Sequence, residues 1–209
     1  MISKGKFVGT GVTILVALTI LSVSIFPGVT SRIAYSPAVL SEKATLGKDE
    51  NKKPQTIDYL LAYPGKINPD NTLWYAKVVR DKVWYFFTFN KSKKTELNLL
   101  FADKRLNSAL YLFQNSKPDL GLSTLTKAEK YLEMSVPKNA DDGEYLKKVA
   151  LASLKHREVI ENQILPLAPE DIAPQVNRVN DYSKEIYKKA RDLMYSKGLI
   201  PPENVFELK

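Results

Sequence analysis

From residue 57 onward, the apolar residues of the chain recur every three or four positions, which is the spacing of one helix face. The stripe is clearest over residues 94–114, where it runs through Leu99, Ala102, Leu106, Ala109 and Phe113. Similar spacing covers residues 71–87, 119–135, 142–164 and 170–197. No stretch alternates apolar and polar residues as a strand would. The pattern predicts an all-α bundle of about five helices.

Turn and cap residues mark the ends of these predicted helices. Asn71 follows Pro69-Asp70 and suits the N-cap of the first helix, whereas Asn90 and Ser92 interrupt the pattern and allow a new N-cap. Asp142 and Glu144 complement the positive end of the next helix dipole. Gly198, followed by Pro201-Pro202, is expected to stop the last helix.

The N-terminal region has a different pattern, because residues 7–26 carry no charge at all. Twenty helical residues rise about 30 Å, which matches the hydrocarbon core of a bilayer. Lys4 and Lys6 precede this run, so residues 1–6 are expected in the cytoplasm and the remainder outside it. The run therefore predicts a single-pass transmembrane anchor. A cleaved signal peptide is the alternative, although its apolar region would be shorter.

Between the anchor and the helices, the sequence becomes polar and loses its periodicity. Residues 41–56 read SEKATLGKDENKKPQT, a composition typical of a flexible connection. We therefore predict a tether over residues 27–56, a helical domain over residues 57–200 and a C-terminal tail over residues 201–209.

The composition of the chain excludes several kinds of functional site and partner. Cysteine is absent and His156 is the single histidine, which excludes disulfides, thiolate sites and most histidine-based metal or triad chemistry. No glycine-rich phosphate loop is present, so we expect neither a cofactor nor a metal ion. The net charge of +8 permits attraction to anionic lipid headgroups or wall polymers. Arginine is scarce and no nucleic-acid-binding motif accompanies the charge, so no nucleic-acid partner is expected.

The remaining ionisable residues suggest structural roles. His156 shares one helix face with Val149, Ala152 and Val159, which favours a half-buried histidine satisfied by hydrogen bonds rather than a general base. Glu129 and Glu133 are one helical turn apart and surrounded by Lys and Tyr, so we interpret them as part of a solvated face. No catalytic residue is predicted.

Two charged triplets, one in each of two consecutive predicted helices, are embedded among apolar residues. They are Arg80-Asp81-Lys82 and Asp103-Lys104-Arg105. Antiparallel pairing of the helices would allow Arg80 or Asp81 to form ion pairs with Asp103 or Arg105 that fix the register. A ligand-binding role for the same side chains is the alternative.

An aromatic run, Trp84 to Phe89, ends the first predicted helix. Because these residues cover most of the helix circumference, we interpret them mainly as core. The alternative is contact with a membrane or a partner protein. It would involve the aromatic residues and the lysines that follow them, namely Trp84, Tyr85, Phe86, Phe89, Lys91, Lys93 and Lys94.

Residues 59–109 resemble an uncharacterised bacterial family catalogued as a domain of unknown function. Members carry a Tyr-Pro-Gly turn, a Pro-Asp pair, and then a helix with the pattern A-x-x-R-L-x-E-A. The positions that carry the resemblance are Tyr63, Pro64, Gly65, Pro69, Asp70, Leu73, Lys77, Asp81, Ala102, Arg105 and Leu106. Thr72 and Trp74 depart from the family's proline and tyrosine. The resemblance implies an exported or membrane-anchored helical domain and carries no activity.

These observations favour a membrane-anchored, extracytoplasmic helical module that binds or scaffolds an envelope protein or anionic polymer, without catalytic activity. One alternative is an envelope sensor or regulator that acts through another membrane protein, because about six cytoplasmic residues are too few for an output domain. The other is a carboxylate-dependent cell-wall enzyme.

Overall fold

A computed structural model describes residues 57–137 and 142–207, and within these ranges the chain forms five α-helices and no strand. The helices are α1 (Trp74–Phe87), α2 (Lys91–Gln114), α3 (Pro118–Ser135), α4 (Gly143–Val159) and α5 (Ala173–Ser196). A π-helical turn (Ile160–Ile164) and a 3-10 turn (Leu165–Leu167) follow α4. The prediction of an all-α fold with five helices is confirmed.

The predicted transmembrane anchor, residues 7–26, and most of the predicted tether lie outside the described residues. Among the helices that are described, none is long and apolar enough to cross a bilayer.

Side-chain caps determine where several helices begin and end. Helix α2 begins at Lys91, three residues before the predicted start, because Asn90 Oδ1 accepts a hydrogen bond from the Lys93 amide at 3.2 Å. Asp142, which was predicted to complement the dipole at the start of this helix, also caps α4 by accepting a hydrogen bond from the Tyr145 amide at 3.1 Å. Gly198 follows α5 with a φ of +69°, a left-handed conformation that glycine adopts without strain.

The described residues fall into two compact units. Residues 75–87 of α1 belong to one unit, and residues 57–74 and 88–207 belong to the other. In the second unit, α2 packs along α3 and α4 packs along α5. Further contacts join α3 to α5 and α2 to α4, so the two helical hairpins form a four-helix arrangement.

The core of the four-helix unit contains two large apolar clusters. The first includes Leu99, Ala102, Leu132, Val149 and Ile186, together with the N-terminal residues Ile57 and Tyr59. The second includes Leu106, Leu125, Ile160, Val176 and Val179. Along each helix, the residues of one cluster precede those of the other, so the clusters occupy successive levels of the bundle.

The C-terminal tail packs against the first cluster through Val205 and Phe206. The guanidinium of Arg157 lies 4.0 Å from the centre of the Phe206 ring. Tyr187 donates a hydrogen bond to the Pro202 carbonyl at 2.7 Å. These contacts attach the residues after α5 to the same unit.

Close packing of α2 against α3 depends on Gly121. A Cβ atom at this position would lie 2.8 Å from two ring carbons of Phe113, a buried side chain that has little room to move. We expect Gly121→Ala to destabilise the fold by about 1–3 kcal/mol. Thermal unfolding of the full chain in detergent, followed by circular dichroism, should show a Tm lowered by about 2–10 °C. Ser123→Ala, at an exposed position of the same helix, is the control and should leave Tm unchanged. An equal Tm for the two variants would contradict the packing argument.

Candidate functional site

Four buried polar side chains, one from each helix of the four-helix unit, meet between the two apolar clusters. They are Asp103 of α2, Glu129 of α3, His156 of α4 and Ser183 of α5, and we call them the polar layer. The Nδ1 atom of His156 lies 2.7 Å from Glu129 Oε1, and its Nε2 atom lies 3.2 Å from Asp103 Oδ1. Ser183 donates to the second oxygen of Glu129 at 2.9 Å. The imidazole therefore bridges two carboxylates.

Each member of the polar layer occupies a position that the helical repeat assigns to the core. Asp103 follows Leu99 by four residues and precedes Leu106 by three, as an apolar stripe residue would. Glu129 stands in the same relation to Leu125 and Leu132. The backbone geometry of the helices thus directs these side chains inward, and each must find its partner there.

The N-terminal segment is attached to the polar layer through Asp103. Its Oδ2 atom accepts hydrogen bonds from the Tyr59 hydroxyl at 2.9 Å and from the Ala62 amide at 3.3 Å. Asn107, one turn along α2, donates to the Ala62 carbonyl at 3.1 Å. The extended residues before α1 are therefore held on α2 by directional bonds as well as by packing.

The surroundings of His156 favour its charged form. Burial by itself would lower the pKa of the imidazole, but the negative charge of Glu129 and the hydrogen bonds to Asp103 and Glu129 outweigh this effect. The net result raises the pKa of His156 to about 9. With both ring nitrogens protonated, the imidazolium donates one hydrogen bond to each carboxylate. At neutral pH the core therefore contains an ion triad.

The polar layer is suited to holding helices together and unsuited to catalysis. Neither His156 nor Glu129 has any exposed surface, so a substrate does not reach either group. The carboxylates bind opposite edges of the imidazole and do not converge on one ion. Throughout residues 57–137 and 142–207, no group of three or more His, Asp or Glu side chains is arranged to hold a metal.

The polar layer confirms one sequence interpretation and corrects two. His156 is satisfied by hydrogen bonds, as predicted, but it is completely buried and not half-buried. The placement of Glu129 on a solvated face was wrong: it is fully buried, whereas Glu133, four residues later, is exposed. Ser183 and Tyr59 were not singled out as site residues. For Glu129, His156 and Ser183, the available signal is a polar residue in phase with an apolar helical stripe, whereas Tyr59 lies outside any helix and carries no such signal.

The structure shows partners for side chains of both charged triplets. Arg80 binds its neighbour Asp81, with Nη2 and Oδ1 2.7 Å apart. Asp103 belongs to the polar layer, and the Arg105 guanidinium lies 4.3 Å from the centre of the Tyr131 ring. Since the triplets fall in different units, pairing between them stays a prediction.

The aromatic run is largely exposed, which contradicts its interpretation as core. Phe86, Phe87 and Phe89 are 70%, 65% and 80% exposed, respectively. Trp84 and Tyr85 are half-buried. Among the lysines that follow, Lys91 and Lys93 are exposed and Lys94 is half-buried. Whether these residues contact a membrane or a partner protein stays a prediction.

Two open surface concavities adjoin the start of α4 and share Glu144 and Lys147. One, of about 360 Å³, is also lined by Asp58, Leu60 and Lys148. The other, of about 530 Å³, extends toward Leu199 and Ile200. Each combines apolar surface with charges of both signs.

A domain of unknown function, DUF5667, covers residues 66–168. This range includes α1 through α4 and three members of the polar layer, Asp103, Glu129 and His156. Ser183, Tyr59 and the Tyr63-Pro64-Gly65 turn lie outside it. No curated protein and no solved structure matches the chain.

The charge of His156 should make the stability of the fold depend on pH. The pKa of His156 is about 9 in the folded state, against 6.5 for an ordinary histidine in an unfolded chain. The protonated imidazole therefore makes its full contribution to the free energy of unfolding below pH 6.5. That contribution is lost as the pH rises through about 9. We expect a decrease of about 3 kcal/mol over this window, measured as a fall in Tm between pH 6 and pH 9.5. A constant Tm across the window would show that His156 is neutral in the folded protein.

Removal of one carboxylate tests the polar layer directly. Glu129→Gln leaves the buried imidazolium with less compensating charge, and we expect a loss of about 3 kcal/mol or more at pH 6.5. The alkaline fall in Tm should also move to lower pH, since Glu129 raises the pKa of His156. Glu133→Gln is the matched control on the same helix; its ion pair with Lys189 is solvent-exposed, so its effect should stay below about 1 kcal/mol. Equal effects of the two substitutions would contradict a structural role for Glu129.

Proposed function

We propose that the chain is a single-pass membrane protein whose helical domain serves, outside the cytoplasm, as a binding or scaffolding module of the bacterial cell envelope. Support for the anchor comes from the uncharged run at residues 7–26 and from Lys4 and Lys6 before it. The resemblance to an exported or membrane-anchored bacterial family supports the same location.

The observation that carries the binding role is an exposed apolar stripe on α1. Tyr75, Val79 and Phe86 are 76%, 56% and 70% exposed and are separated by four and seven residues, so they share one face of the helix. We call these three residues the α1 stripe. Exposed apolar side chains that share one helix face are typical of a contact site.

The distribution of ionisable and apolar side chains between core and surface supports a binding role over a catalytic one. His156, whose pKa is raised to about 9, is buried in the core of the four-helix unit, whereas large apolar side chains of α1 are exposed. An active site requires the reverse arrangement, with perturbed acids or bases at the wall of a cleft.

The absence of cysteine makes the topology directly measurable. Ser3→Cys and Ser123→Cys each introduce a single thiol, the first before the apolar run and the second at an exposed position of α3. In intact bacterial cells that express the full chain, a membrane-impermeant maleimide should label the thiol at position 123. Position 3 should react only after the cells are permeabilised. Labelling of position 3 alone in intact cells would contradict the proposed orientation, and release of the chain into the medium would contradict the anchor.

A further inference from the structure

Residues 57–62, which we call the strap, belong to the core of the four-helix unit without being part of a helix. Ile57, Tyr59 and Ala62 are buried, and Leu61 packs against both apolar clusters. The strap therefore contributes apolar burial, but no ladder of helical hydrogen bonds holds it in place. A segment of this kind opens at a lower free energy than the helices on which it lies.

One carboxylate, that of Asp103, joins the strap to the ion triad. Its Oδ2 atom accepts hydrogen bonds from the Tyr59 hydroxyl and the Ala62 amide, while its Oδ1 atom lies 3.2 Å from Nε2 of His156. The same side chain thus holds the strap on α2 and compensates the charge of the imidazole. A change in that charge must alter the environment of the group to which the strap is bonded.

We propose that the strap is a pH-sensitive latch, which lies closed on α2 while His156 is protonated and leaves α2, with the four helices still folded, once His156 loses its proton. This inference goes beyond the proposed binding role and does not depend on the membrane anchor.

The groups that face the imidazole come from the elements packed against it. They are Asp103 from α2, Glu129 from α3 with the Ser183 hydroxyl of α5 behind it, and, through Asp103, Tyr59 of the strap. Tyr145 of α4 also feels the charge of Asp103, but burial raises the pKa of its hydroxyl well above the ordinary value, so it keeps its proton near pH 9. The pKa of His156 is about 9, and we therefore assign the proton that leaves in this range to His156.

Loss of this proton leaves the imidazole with a single N–H. We expect the remaining hydrogen to stay on Nδ1, because Glu129 is the closer carboxylate, at 2.7 Å against 3.2 Å for Asp103. The lone pair of Nε2 then faces Asp103 Oδ1. The Asp103 carboxylate becomes a buried charge that has lost the cation beside it, which is a costly arrangement.

Of the two carboxylates, Asp103 has the easier route to water. Glu129 is completely buried between helices, whereas the outer oxygen of Asp103 is covered by the strap. The neutral hydroxyl and amide of the strap do not replace the lost positive charge, but water, with its high dielectric constant, stabilises a carboxylate. Opening of the strap therefore relieves the buried charge without separating the helices.

Release of the strap would change the surface and the reach of the domain. It would uncover apolar surface of both clusters, since Leu61 packs against each of them. In an anchored chain it would also add six residues to the tether, which span about 20 Å when extended. Alkaline conditions outside the cell would thus expose a surface that is covered at neutral pH.

Spin labels test the latch, because the chain has no cysteine of its own. Leu60→Cys and Lys147→Cys place one nitroxide on the strap and one on α4, at exposed positions that line the same concavity. The nitroxides are attached through thioethers, which do not titrate. In the full chain in detergent, we expect dipolar broadening between the labels to fall at least twofold from pH 7 to pH 9.5, with a midpoint near pH 9 and unchanged far-UV circular dichroism.

A second pair of labels supplies the matched control. Ile200→Cys, combined with the same Lys147→Cys, spans the other concavity of this unit and does not involve the strap. Its dipolar broadening should be independent of pH over the same range.

Two substitutions should change the latch in opposite directions. Asp103→Asn removes the carboxylate charge; its amide can donate to the neutral imidazole while its oxygen accepts from the strap, so the broadening should persist to pH 9.5. Tyr59→Phe removes one hydrogen bond of the closed strap and keeps the ion triad, so release should occur at lower pH. Tyr182→Phe, at an exposed position of α5, should leave the midpoint unchanged. If Asp103→Asn does not fold, the comparison of Tyr59→Phe with Tyr182→Phe decides.

Three results would overturn the latch. Broadening between positions 60 and 147 that stays constant to pH 9.5 would show that the strap remains closed. Simultaneous loss of broadening in both labelled pairs, with loss of helical circular dichroism, would show global unfolding. Release in Asp103→Asn at the same pH as in the parent would show that another group causes it. None of these results bears on the proposed anchor, which the maleimide labelling tests separately.

Discussion

A single imidazolium, bound on both sides by carboxylates, is the interaction on which the four-helix unit depends. Asp103, Glu129 and His156 come from three different helices, and Ser183 from the fourth helix completes the set. Apolar side chains accept several neighbours of similar volume, so the apolar clusters specify the register less strictly. The polar layer specifies it strictly, since a shifted helix would leave a buried charge without a partner. We therefore infer that the layer fixes the register of the helices, while the apolar clusters on either side supply most of the stabilisation.

The same layer also determines the position of the chain before the helices. Asp103 uses one oxygen for His156 and the other for Tyr59 and Ala62. The segment that leads toward the predicted tether is consequently held by the residue that completes the ion triad. Proton loss from His156 would weaken a contact in the core and would remove the charge that orients Asp103.

In the four-helix unit the ion triad is buried, whereas on α1 the chain exposes large apolar side chains. Phe101, Tyr131 and Arg105 show that aromatic and charged groups of this chain can be packed into a core, with ring centres 5.6 Å apart and the guanidinium stacked on Tyr131. Phe86 and Phe87, in contrast, contact each other at 5.4 Å and remain mostly exposed. This difference in burial, within one chain, is the physical basis for assigning a contact role to the end of α1.

The helical class, the number of helices among the described residues and most of their ends follow from local sequence patterns, because helical periodicity and caps such as Asp142 and Gly198 act over a few residues. The same patterns predict that His156 is satisfied by hydrogen bonds. The identity of its partners follows only from the folded arrangement, since Asp103 and Glu129 lie 53 and 27 residues away along the chain. The burial of Glu129 and the exposure of Phe86, Phe87 and Phe89 also follow only from the folded arrangement. Local spacing indicates which side chains share a helix face, but burial depends on which other helix covers that face, and this is set by contacts between distant parts of the chain.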